Sequence, residues 1–140
     1  MIEDATSLAY GFKWFEYHAS QRITTFNFYL VVYSALSGAY SFLLKEKIVA
    51  GLILVSILML LMSVLFWQLD IRNRQLIDIG EKIVKKSWVS AGLDESLNPI
   101  VLSSGVQSYG LRFRQIFGIV FLVGSLFGLV AFIYVLHVSP

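Results

Sequence analysis

Residues 23–69 read ITTFNFYLVVYSALSGAYSFLL-KEK-IVAGLILVSILMLLMSVLFWQL, two charge-free runs of 22 residues on either side of Lys45-Glu46-Lys47. A helix needs about 20 apolar residues to cross the roughly 30 Å hydrocarbon core of a bilayer. No water is available there, so the backbone has to satisfy its own hydrogen bonds, and a helix does so. Three charged residues leave room only for a tight turn. The stretch therefore predicts two antiparallel membrane-spanning helices lying side by side.

Working outward, a third charge-free run begins at Gln115 and supplies another span through about Leu136. With 57% hydrophobic residues and a mean hydropathy of +0.74, the chain is too apolar for an ordinary soluble domain. The expected fold is an all-α integral membrane protein in four segments. Residues 1–22 form an interfacial amphipathic helix and 23–69 a transmembrane hairpin. Residues 70–114 hold a cytoplasmic helix and loop, and 115–140 a third transmembrane helix with a short outer tail. There is no cysteine, which excludes disulfides and thiolate metal sites. The acidic start, Met1-Ile2-Glu3-Asp4, is unlike the basic n-region of a cleavable signal peptide.

Charge distribution sets the expected orientation. Lys13 and Arg22 precede the first span; Arg72, Arg74, Lys82, Lys85, Lys86, Arg112 and Arg114 lie between spans two and three. Those nine of the eleven basic residues fall on one side of the membrane, leaving Lys45 and Lys47 on the other. The positive-inside bias then puts the N-terminus and residues 70–114 in the cytoplasm and the C-terminus outside, with the inner (plasma) membrane as the location.

Ahead of span one, Leu8, Phe12, Phe15 and Ala19 recur at helical spacing, widened by Tyr10, Trp14 and Tyr17. Amphipathic rings favour headgroup depth, so Tyr10, Trp14 and Tyr17, with Trp67 at the end of span two, read as interfacial anchors. His18, before Gln21 and Arg22, reads as a headgroup contact or, more sharply, a pH sensor.

Span one carries a polar seam. Asn27, Ser34, Gly38 and Ser41 are seven, four and three residues apart, hence on one helix face, with Ser37 beside it. In lipid, helices associate by close packing of small residues and by interhelical hydrogen bonds. The seam is either a packing face, against span two or another subunit, or the lining of a pore in a ring of copies. No charge lies inside any span, which argues against ion-coupled transport or a proton relay. Span three has Gly118, then Gly124 and Gly128 in a small-xxx-small motif that lets two helix backbones approach closely, within the chain or between chains.

The helical pattern of span two does not stop at the membrane edge. Leu69, Leu76 and Ile83 continue an apolar stripe at heptad spacing, and the pairs Asp70–Arg74, Asp78–Lys82 and Glu81–Lys85 are acid-before-base at i,i+4. That order supports a solvated helix by a few tenths of a kcal/mol per pair. The helix should reach about Trp88, roughly 30 Å beyond the membrane at 1.5 Å per residue. Arg72, Arg74, Lys82, Lys85 and Lys86 read mostly as a solvated face, and alternatively as a site for anionic lipid, a nucleotide or a partner protein. Gly92, Asn98-Pro99, Gly105 and Gly110 then punctuate an irregular stretch over 89–111, in which Asp94 is placed to cap a short helix that Pro99 limits.

No nucleophile elbow, phosphate loop, zinc-ligand cluster or paired-carboxylate arrangement occurs, and the only histidines, His18 and His137, fall on opposite sides of the membrane. The sequence therefore predicts no enzyme, no catalytic residue, no cofactor and no metal.

Tyr17-His18-Ala19-Ser20-Gln21-Arg22 leading into span one, and Leu69-Asp70-Ile71-Arg72-Asn73-Arg74 leaving span two, make the chain resemble small bacterial membrane effectors of anti-phage systems. In layout, over about residues 10–88, it is most similar to the two-span SLATT-type effectors, with their interfacial helix, short hairpin and cytoplasmic helix; span three goes beyond that plan. The resemblance implies an oligomer that forms a pore or disrupts the membrane when a cytoplasmic sensor or nucleotide signal triggers it. The expected partners are thus the lipid bilayer, further copies of the chain, and a cytoplasmic protein or nucleotide signal, without direct nucleic-acid binding. The rival expectation is a non-conducting anchor or scaffold subunit that holds a cytoplasmic partner through residues 70–114.

Overall fold

The computed structural model describes residues 2–105 and 113–138, with side chains over 6–102 and 115–137. Gly110, and the side chains of Arg112 and Arg114 expected at the edge of span three, lie outside the described residues. Among the described residues four α-helices follow in order: α1 (Ile2–Lys45), α2 (Val49–Ser90), α3 (Pro99–Gly105) and α4 (Phe113–Val138), with one 3-10 turn, Glu95–Leu97, before α3. No strand occurs among the described residues. Three helical stretches, Thr6–Lys45, Val49–Ser90 and Gln115–His137, are long and apolar enough to cross a membrane.

The helix read over 5–21 is not a separate element. It is the first half of α1, which runs without interruption because no Pro breaks residues 2–45 and Gly11 is tolerated inside a helix. Likewise α2 continues to Ser90, past Gly80.

The turn between α1 and α2 is a Schellman motif. Ile48 N–H donates to the Leu43 carbonyl (3.1 Å) and Lys47 N–H to the Leu44 carbonyl (3.3 Å). Lys47 takes the left-handed position of that motif, with φ 56°, where a side chain costs about 1–2 kcal/mol and glycine costs nothing. The end of α2 repeats the motif: Leu93 N–H bonds the Trp88 carbonyl, Gly92 N–H bonds the Val89 carbonyl, and Gly92 holds the positive φ of 69°.

The chain divides into two compact units. One comprises Thr24–Asp70 and Arg112–Pro140, a bundle of the second half of α1, the first half of α2, and α4. Its core has two apolar clusters. Tyr40, Leu52, Val55, Met59, Ala131 and Val135 form the first, and Tyr29, Phe66, Phe117 and Phe121 the second. In the second, Phe26 stacks on Phe117 at 3.9 Å between centroids, and Tyr29 meets Phe121 edge-on at 4.8 Å.

The other unit comprises Met1–Ile23 and Ile71–Leu111. Here the first half of α1 packs antiparallel on the second half of α2. Gly11 and Gly80 bring the two backbones together. A Cβ at Gly11 would stand 3.3 Å from the Val84 backbone nitrogen, and one at Gly80 would stand 3.2 Å from the Phe15 Cα. Of the Leu69, Leu76 and Ile83 stripe, Leu69 is exposed and the other two are half-buried. Ile83 lies against Gly11, and the Leu76 carbonyl accepts the Trp14 indole N–H at 3.0 Å. Beyond Gly92, Asp94 caps the 3-10 turn by accepting from Ser96 N–H, and Trp88 Nε1–H donates to the Asp94 carbonyl. The hydrogen bonds from Ser96 hold the Asp94 carboxyl below its ordinary range. Pro99 opens α3, as suits the first helical position, while buried Asn98 caps it through the Ile100 N–H.

Candidate functional site

In the three-helix unit, the face α1 turns towards α2 and α4 is made of tyrosines. Tyr29, Tyr33 and Tyr40 share that face, at spacings of four and seven. A phenol buried in an apolar bundle needs a partner for its hydroxyl. Tyr33 donates to the Gly124 carbonyl at 2.6 Å and Tyr40 to the Ala131 carbonyl at 3.2 Å, both on α4. The Tyr29 and Ser63 hydroxyls lie 3.0 Å apart, and Ser63 donates its own proton back to the Met59 carbonyl at 3.0 Å. Tyr29 is therefore the donor to Ser63. Three helices are thus joined by phenol bonds, which the small residues opposite make room for.

Gly124 is that room, and Gly128 lets α4 approach the backbone of α2. A Cβ at Gly124 would overlap the Tyr29 hydroxyl and stand 2.9 Å from Ser63 Oγ; one at Gly128 would stand 3.1 Å from the Leu60 backbone nitrogen. The small-xxx-small motif of α4 accordingly makes its close contact within the chain. Gly118, read with it as a packing residue, has nothing within 4 Å of a built Cβ.

The polar seam turns the opposite way. Asn27, Ser34, Gly38 and Ser41 are exposed and Ser37 is half-buried. Against α2, the packing expected of the seam is made instead by the tyrosine face, because the two sets lie on different faces of α1. Ser37 Oγ donates to the Tyr33 carbonyl and Ser41 Oγ to the Ser37 carbonyl, each at 2.9 Å, which returns those hydroxyls to their own helix. Among the described residues, the Asn27 amide and the Ser34 hydroxyl have no hydrogen-bond partner. Nothing lies within 4 Å of a Cβ built on Gly38. Beside the seam, a lateral groove of about 430 Å³ opens between α1 and α4, walled by Ser34 and Ser37 on one side and by Ile119, Val123 and Phe127 on the other.

In the two-helix unit, Arg72, Lys82, Lys85 and Lys86 are exposed along α2, and Arg74 is half-buried. Of the residues read as interfacial anchors in this unit, Tyr10 and Tyr17 are exposed, while Trp14 is half-buried and committed to the Leu76 carbonyl. Trp67, in the three-helix unit, is exposed. His18 is 8% exposed, against the Trp14 and Tyr17 rings, with Nδ1 3.1 Å from Gln21 Oε1. Among the described residues no group of three His, Cys, Asp or Glu side chains is placed to hold a metal.

Sequence reasoning missed the tyrosine face. Its signal was available: three tyrosines at i, i+4 and i+11 in a run otherwise of Leu, Val, Ala, Ser and Gly. It missed the Gly11–Gly80 approach as well, which only the pairing of the two helices brings together.

The chain is 32% identical over 133 residues to CD-NTase-associated protein 19 of Escherichia coli, a match that covers 86% of this chain and 87% of that protein. No family model and no solved structure matches.

Proposed function

Because the chain belongs to the family of CD-NTase-associated protein 19, we propose that it is a non-enzymatic membrane effector of anti-phage defence. It assembles with further copies of itself in the inner membrane and forms a pore or perturbs the bilayer. The N-terminus and residues 70–114 face the cytoplasm, as the basic residues on that side favour. A cytoplasmic partner or nucleotide signal acts on the 70–114 segment, where Arg72, Lys82, Lys85 and Lys86 are exposed.

The observation that carries this reading is the outward polar face of α1. A bundle meant only to anchor needs nothing but apolar side chains towards lipid. This one presents Asn27, Ser34 and Ser41 there. An amide without a hydrogen-bond partner in an apolar medium costs several kcal/mol, so this face is stable where water or another copy covers it. An assembly of copies with α1 innermost supplies both.

The test is membrane potential in cells that express the full chain with its defence partners, followed by a potential-sensitive dye during phage challenge. Depolarisation is expected from the natural protein, and about tenfold less from the double variant Asn27→Leu, Ser34→Ala, which removes the polar groups but keeps the bundle's tyrosine face. An unchanged potential with the defence system active sinks the reading. Protection lost by charge reversal at Lys82, Lys85 and Lys86, but untouched by the double variant, replaces it with an anchor that holds a cytoplasmic partner.

A further inference from the structure

We infer that the outer face of α1 is the surface on which a second copy of this chain docks, α1 against α1 with the helices parallel. The inference rests on the membrane-inserted part of the proposed function and names the surface through which copies meet. Copies inserted by the same rule share one orientation, so like residues lie at the same depth, and a two-fold axis along the membrane normal sets them opposite one another. Asn27 then faces Asn27, Ser34 faces Ser34 and Gly38 faces Gly38.

Three independent features converge on this face. The first is hydrogen-bonding complementarity. A side-chain amide carries both donors and an acceptor, so it complements a copy of itself. The Asn27 amide and Ser34 hydroxyl have no partner among the described residues. The second is shape. Ser34 and Gly38 are four residues apart, as are Ala35 and Ala39, and all four are exposed, giving a small-residue patch between Val31 and Phe42 at which two backbones can approach. The groove between α1 and α4 flanks that patch and seats the larger side chains of an approaching helix. The third is contrast with the rest of the unit. All three helices expose bulky apolar side chains, such as Val31 and Phe42 on α1, Leu54 and Leu61 on α2, and Leu122 and Val130 on α4, but on α1 the Asn27 amide stands among them. The other small-residue motif, Gly124 and Gly128, is already filled by α1 and α2. Lipid covers the apolar side chains without loss but leaves the Asn27 amide unmatched; a second copy matches it.

The chain lacks cysteine, so a single introduced thiol cannot form a disulfide within the chain, and a disulfide product of twice the chain's mass reports contact between copies. Ser34→Cys and Gly38→Cys in the full chain, oxidised in native membranes, are expected to give about tenfold more disulfide dimer than Leu61→Cys or Val130→Cys on the exposed faces of α2 and α4. In the Ser34→Cys background, Gly38→Leu adds bulk into open space, so the bundle still folds, and the dimer yield falls about tenfold. Equal yields at all four positions, higher yields from α2 or α4, or dimer that survives Gly38→Leu overturns the inference. Membrane potential, measured in parallel, separates the two proposals. Strong cross-linking at 34 and 38 without depolarisation keeps the α1 interface and defeats the effector reading. Depolarisation with no preference for 34 and 38 keeps the effector and defeats the interface.

Discussion

The same two helices build both units of this protein, and they solve the problem of packing in two ways. In the three-helix unit, α1 meets its neighbours through buried tyrosines whose hydroxyls reach α4 carbonyls and a serine of α2. In the two-helix unit, it meets α2 through glycines that nearly remove the gap between backbones, with a Ser7–Ser87 hydroxyl pair at 2.8 Å and the Trp14 indole on the Leu76 carbonyl. The difference follows from the number of partners. A third helix leaves an interior wide enough for phenol rings. Where α1 and α2 pair without a third long helix, they gain contact by approaching closely.

That contrast can be broken from either side. The largest effect is expected from Gly128→Leu. A side chain there meets the Leu60 backbone nitrogen, which cannot move aside, so α4 must shift and the Tyr33 and Tyr40 bonds to it are strained. The expected loss is about 3 kcal/mol, read as a lower melting temperature in detergent. Gly80→Val should cost about 2 kcal/mol, for the same reason against Phe15 Cα. Its signature is local: faster amide exchange over 2–23 and 71–90, with protection over 24–70 unchanged. If protection falls equally in both stretches, the two units are one cooperative body and the contrast is lost. The smallest effect has the opposite sign. Lys47→Gly removes a side chain from the left-handed position of the first turn and should stabilise the hairpin by about 1 kcal/mol, to be measured by the same melting experiment. Gly92 already holds the matching position in the second turn, so Gly92→Lys should cost about as much as Lys47→Gly gains.

Much of this was legible in order of residues alone. The two 22-residue apolar runs and the Lys45-Glu46-Lys47 break specify a tight helical hairpin, and the unbroken stripe from Leu69 to Ile83 specifies that α2 continues. Asp94 marks the cap of the short turn over Glu95–Leu97, whereas Asn98-Pro99, read only as its limit, also opens α3. The candidate face was half legible. The spacing of Asn27, Ser34, Gly38 and Ser41 puts them on one side of a helix whatever the fold, but spacing cannot say what that side meets. The same holds for Gly124 and Gly128, whose motif permits a contact within the chain or between chains.

What the sequence determined by itself is the set of helices, because hydrophobic length and backbone hydrogen bonding act locally along the chain. Only the tertiary structure decided which faces are spent. It gives the tyrosines of α1 and Gly124 and Gly128 of α4 to the interior, turns the Asn27–Ser41 face outward, and sets Ile83 against Gly11. Faces are assigned by competition among helices for the closest fit, and that competition depends on residues up to 91 positions apart.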